Sequence, residues 1–269
     1  MRNNGIESER LTQEEAQVLT VELRGEISEA IDQFLELHRT VGLSGEGLYR
    51  LCRLLLDKGL GCRVEPFITD VSSSLCPWIW AARCHYLLSV FRGREALEAG
   101  FTGWSIAPHC PAAGYAYHGA LVFAGYDHYA RHHLETLVAT FSNDSEIMSE
   151  FLCRSAVPPN EQVHSLAELL SKHPSCRTTR FSLASAQLAM HQYDEASANL
   201  SQLEGWLGET SALCELRVLA FEDVTHNQFA ARHSAVVQLY QQRPQPRPDA
   251  PRRVFHLRLG RHPLRDGGT

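Results

Sequence analysis

The 269-residue sequence predicts an all-α fold. Three observations carry that reading. Apolar residues recur at steps of three and four along nearly the whole chain, the spacing of a single helical face. No run alternates with a period of two, and no Asn-Gly or Asp-Gly pair joins two such runs, so strand and hairpin signals are scarce. Residues 181–203 superimpose on 217–239, which points to a repeated unit.

Residues 1–10 carry no such pattern and are expected to be disordered, and 11–60 are expected to form an N-terminal helical pair. Thr12 followed by Glu15 makes a capping box. Ala16, Leu19, Leu23, Ile27, Ile31, Phe34 and Leu35 then read as one apolar face. Ser44 opens a second helix carrying Leu48, Leu51, Leu54 and Leu55, and Gly59 stops it. Residues 61–76, with Pro66 and Ser72 to Ser74, read as a loop. The most apolar stretch, Leu75 to Phe91, contains Arg83 and His85 and is shorter than the roughly 20 residues a membrane span needs, so a buried helix is expected and no membrane span.

From Pro77 the chain reads as helical hairpins. In the superposition, Leu183-Ala184 falls on Leu219-Ala220, Tyr193 on Phe229, Leu200 on Val236 and Leu203 on Leu239. This pattern resembles the tetratricopeptide repeat, a helix-turn-helix unit. The family's tight-packing alanine falls on Ala196 and Ala96. Its unit-ending proline falls on Pro108, Pro174 and Pro244. The resemblance implies about five hairpins over 77–246, in units 77–111, 112–142, 143–176, 177–212 and 213–246, stacked as a solenoid with a concave groove. It also implies which residues face that groove: Trp78, His85, Phe123, Phe151, Arg154, Phe181, Leu188, Arg217 and Phe221. These are rich in aromatics and suit an apolar peptide or an amphipathic helix of a partner protein, or else pack against neighbouring helices. The family subtype that clamps a C-terminal carboxylate is not indicated, because His85, Ala120, Phe151, Ser185 and Phe221 stand where its asparagine would be. A second resemblance, over residues 79–97 and 115–137, is to the helical-repeat arm of PCI-type subunits such as those of the COP9 signalosome. It implies a scaffold subunit of a regulatory complex.

Net charge is −6, unevenly spread. Residues 242–269 hold seven arginines and two aspartates, so that stretch is +5 and the rest is −11. An acidic body does not attract nucleic acid. The Pro/Arg-rich tail, 247–269, is expected to be disordered, either as a solvated end or as a segment that binds an acidic partner. The eight cysteines form no CxxC pair, and the start lacks an apolar signal region, so reduced thiols and a cytoplasmic location are expected. His128 and His132 share a helical face at i and i+4, a spacing that fits a metal-dependent enzyme or an ordinary surface pair. HYARHH has no HExxH glutamate and no third ligand can be named. No phosphate-binding loop or nucleophile elbow occurs, so the expectation is a non-enzymatic adaptor without cofactor or metal.

Overall fold

The computed structural model describes residues 11–69, 74–210, 212–214 and 216. The expected N-terminal disorder at 1–10, the tail 247–269 and nearly all of the unit 213–246 lie outside the described residues. Those described are all-α, without a strand. The helices are α1 (Gln13–Leu23), α2 (Ile27–Thr40), α3 (Gly45–Asp57), α4 (Glu65–Ile68), α5 (Pro77–Ser89), α6 (Gly93–Ile106), α7 (Pro111–Phe123), α8 (Asp127–Thr140), α9 (Ser145–Arg154), α10 (Pro159–Lys172), α11 (Arg177–Ala189) and α12 (Tyr193–Leu207).

A single register organises them. The N-caps of α1, α3, α5, α7, α9 and α11 are Thr12, Ser44, Cys76, Cys110, Asp144 and Cys176, stepping by 32, 32, 34, 34 and 32 residues. Each cap opens a hairpin, so the repeat runs through the N-terminal segment as well as through the region from Pro77. In the second hairpin the returning helix is reduced to a 3₁₀ turn, Gly61–Arg63, and the four-residue α4. Residues 61–76, read from the sequence as a loop, thus hold this abbreviated helix.

The N-terminal segment departs from its sequence reading in another way. The apolar face from Ala16 to Leu35 implies one helix, yet the chain turns at Arg24-Gly25-Glu26 and forms two. Gly25 adopts φ 85°, a left-handed conformation that ends a helix and that glycine adopts without steric cost. The helical period survives because α2 resumes with its apolar face toward the same core, burying Ile27, Ala30, Ile31 and Phe34.

The caps are linked to each other. Thr12 and Glu15 form the expected capping box. The Glu15 carboxylate is itself buried and also accepts from the Ser44 backbone and hydroxyl, both at 2.7 Å. One carboxylate thereby satisfies orphan donors at the starts of two helices.

Small residues let the central helices approach closely. Ala81, Ala96, Ala99, Ala113, Ala116 and Ala120 are buried between α5, α6 and α7. A methyl group on Gly100 would lie 2.9 Å from the Tyr117 Cα, so the α6–α7 contact admits only hydrogen there. One core extends from Val18 to Ala120, and smaller clusters serve the later hairpins. Trp206 and Leu207 of α12 join the cluster of the last hairpin to this first core.

Candidate functional site: a polar channel between the first helices of the hairpins

The first helix of each hairpin presents one face to a shared interior. Tyr49 and Arg53 stand four apart on α3, and Glu146, Glu150 and Arg154 stand at successive four-residue steps on α9. Residues so spaced share a helical face, and these faces line two adjoining cavities. The smaller, about 250 Å³, is bounded by Arg53, His85, Tyr115, His118, Glu150 and Arg154, among others. The larger, about 510 Å³, runs from Arg53 and Tyr115 to Glu22, Arg50, Trp78 and Arg177.

Arg53 stands where the cavities meet. Its Nη1 donates to the Tyr49 hydroxyl at 3.3 Å and to His85 Nε2 at 3.2 Å, and its Nη2 donates to Glu146 Oε1 at 3.3 Å. Thr178 of α11 donates to the same carboxylate oxygen at 3.0 Å. Burial opposes the Arg53 charge, but Glu146, Tyr49 and Asp57 outweigh it and hold its pKa well above the ordinary range. A guanidinium only donates, so His85 Nε2 is the acceptor and the ring is neutral. Burial, followed by the Arg53 charge, accordingly holds the His85 pKa well below its ordinary value. Burial also raises Tyr49 and Tyr115, so both remain phenols.

The second polar group is His118 with Glu150. His118 is almost fully buried on α7. Its Nδ1 lies 3.1 Å from the Ala130 carbonyl and its Nε2 3.3 Å from Glu150 Oε1. The ring thus sits between the Ala130 carbonyl and the Glu150 carboxylate, bridging α7 to α8 and α9. Glu150 also accepts from Arg154 Nε. Burial pushes the Glu150 carboxyl up, yet the hydrogen bonds from His118 and Arg154 outweigh it and bring its pKa down to about 2.

At the far end of the larger cavity Arg177 donates to Asp57 Oδ2 at 3.0 Å and Glu22 Oε1 at 3.1 Å. Arg50 lies 3.6 Å from the other Glu22 oxygen. The lining is therefore a set of paired charges with aromatic rings between them, where the sequence reading expects an apolar groove. Such a surface offers hydrogen bonds and ring faces to a polar ligand rather than a greasy slot to an aliphatic one.

Of the residues expected to face a groove, three border this interior. Trp78 is half-buried against Tyr49, with ring centroids 5.5 Å apart, and His85 and Arg154 line the cavities. Phe123 lies at the exposed end of α7 beside Phe91, with ring centroids 6.3 Å apart. Phe151 packs on Leu134, Leu137 and Ile147, and Phe181 and Leu188 pack on Ala184, Leu200 and Leu203. Arg217 and Phe221 lie outside the described residues. Tyr49, Arg53, His118, Glu146, Glu150 and Arg177 were not among those expected. Their signal is the i, i+4 spacing of polar residues on helices whose other faces are core, and charge pairing across 93 residues, as in Arg53–Glu146, has no local signature.

His128 and His132 are exposed on α8, and His132 Nδ1 lies 3.8 Å from Glu135. Among the described residues no three His, Cys, Asp or Glu side chains are grouped to hold a metal ion. Cys84 turns away from His85 into the helix packing and donates to the Ala96 and Ala116 carbonyls at 3.2 and 3.3 Å. Burial raises its pKa to about 12. Among the described residues no helix is long and apolar enough to cross a membrane.

No protein-family model matches the chain, and no curated protein matches it in sequence. Solved structures are similar to it. A tetratricopeptide repeat protein from Parabacteroides merdae is 13% identical, with a TM-score of 0.46 over 85% of this chain and 93% of the other. TTC0263, a thermophilic tetratricopeptide repeat protein from Thermus thermophilus, is also 13% identical, with a TM-score of 0.42 over 83% of this chain and 99% of the other. The Cut9-Hcn1 hetero-tetramer of the APC/C gives 13% identity and a TM-score of 0.42, with 85% of this chain matching 53% of that one. The fold itself, all-α and built of stacked helical hairpins, stands on the described helices.

Proposed function

We propose that this protein is a non-enzymatic interaction adaptor or complex subunit, and that its channel holds an extended segment of another protein. One observation carries the reading. The first helices of successive hairpins converge on two adjoining cavities lined by rings and ion pairs, with the half-exposed Arg154 at one end.

The lining of the interior refines the expected occupant. Ion pairs and ring faces, rather than a stripe of aliphatic side chains, border both cavities. An extended segment of a few residues fits, with its backbone amides meeting the carboxylates and its side chains lying against Trp78 and Tyr115. The reading thus shifts from an apolar helix to a polar, extended peptide.

The test is selection from a displayed library of 12-residue peptides on the full chain, followed by calorimetric titration. Enriched peptides are expected to bind with micromolar affinity. They should lose about tenfold on Arg154→Ala and on Trp78→Ala, with circular dichroism confirming that both variants stay folded. An unenriched library, or equal affinity for wild type and both variants, would remove the channel as the binding surface.

A further inference from the structure

The two ends of the described chain touch. Arg177, at the start of α11, is held between Glu22 of α1 and Asp57 of α3, partners 155 and 120 residues away in sequence. Trp206 of α12 lies on the α1–α2 turn: a Cβ at Gly25 would sit 2.1 Å from its indole Nε1. The Arg180 guanidinium lies over the same indole, 5.0 Å from the Trp206 ring centroid.

The Glu22–Arg177 contact forms part of the wall of the larger cavity, which Leu23 and Cys176 also line. They differ in kind from what holds neighbouring hairpins together. Successive hairpins share buried aliphatic and alanine cores, whereas the end-to-end contact consists of the two ion pairs of Arg177 and the Trp206 and Leu207 side chains. Paired charges contribute little net stability once desolvation is counted, and salt screens them where water reaches. A seam held largely by paired charges therefore borders the larger cavity.

We infer that the α1–α2 hairpin and α11–α12 form a clasp that opens as a unit while α5–α8 stay folded, and that opening widens the mouth of the larger cavity. Opening costs no hairpin its own core, because α1 and α2 remain attached to α3 through Val18, Ile27, Ile31 and Phe34. Under the peptide-binding reading above, the clasp is the gate through which a chain segment reaches the channel without threading. The opening itself does not depend on that reading.

The experiment follows the full chain by hydrogen exchange and by iodoacetamide labelling, each resolved by mass spectrometry. Wild type is compared with Glu22→Gln and Trp206→Leu, neither of which adjoins Cys176 in sequence. Exchange in the α1–α2 turn and in α11–α12 is expected to rise about tenfold in both variants while α5–α8 keep their rates. Cys176, which lines the cavity, should label about tenfold faster. A uniform rise across all helices would overturn the proposal by showing a single cooperative unit, and so would unchanged exchange in both the α1–α2 turn and α11–α12. Peptide binding is not read in these measurements, so a failed peptide selection leaves their outcome standing.

Discussion

Arg53 and Glu146 lie 93 residues apart in sequence and 3.3 Å apart in the fold, joining α3 to α9 across the channel. Their side chains are 16% and 34% exposed, so water compensates neither fully once its partner is removed. Glu146→Ala is expected to cost about 2–4 kcal/mol in urea unfolding, because it strands a guanidinium in the interior. The double variant Arg53→Met/Glu146→Leu should cost less than the two single changes added together, with a coupling above about 1 kcal/mol. Additive single changes would mean that the pair is decorative.

Glu150 sets the acid limb of stability. Its folded-state pKa, held down by His118 and Arg154 against burial, is about 2, compared with an ordinary 4.5. A depressed carboxyl contributes stability that is complete above the unfolded pKa and is lost as pH falls through the folded one. The window is therefore pH 4.5 down to about 2. The expected loss is on the order of 2–3 kcal/mol, and Glu150→Gln should flatten that part of the pH–stability curve. The check is urea midpoints across the acid range for both proteins.

His85 acts at higher pH. Burial and the Arg53 charge hold its folded pKa well below 6.5. The unfolded chain takes up a proton that the folded ring refuses, so stability is complete above about 6.5 and falls as pH drops below it. His133, lowered by burial as well, adds to the same slope. His85→Gln, which keeps an acceptor for Arg53, is expected to lose part of the change between pH 7.5 and 5. An unchanged slope would assign it to His133.

A matched glycine pair separates backbone strain from packing. Gly25 and Gly125 end equivalent helices with φ 85° and 79°. A Cβ at Gly125 meets nothing within 4 Å, whereas one at Gly25 runs into Trp206. Gly125→Ala should cost about 1–2 kcal/mol from the left-handed backbone alone. Gly25→Ala should cost clearly more, and Trp206→Ala in the same chain should bring it back toward the Gly125 value. Thermal unfolding of the four proteins reads the difference.

Much of the fold is legible without coordinates because it is local. Helical period, the Thr12–Glu15 box, the N-cap Ser44 and the Pro77 helix start all act within a few residues. The all-α class and the hairpin repeat follow from them. The break at Gly25 was also local, but its single glycine was outvoted by an apolar period that continues across the turn.

What faces the channel is not legible in the same way. Phe151 and Phe181 have the hydrophobicity of contact residues, yet they are used as core, while Arg53, His118 and Glu150 turn inward. A helix specifies which residues share a face, and only its neighbours decide whether that face meets core, solvent or cavity. Burying a charge is tolerable only beside an opposite charge, and here the partners arrive from hairpins dozens of residues away: Glu146 for Arg53, Glu22 and Asp57 for Arg177. The residue sequence specified helices and their rhythm through short-range sterics and hydrogen bonding. The stacking of those helices alone settled which polar residues meet, because that depends on distances that no stretch of sequence contains.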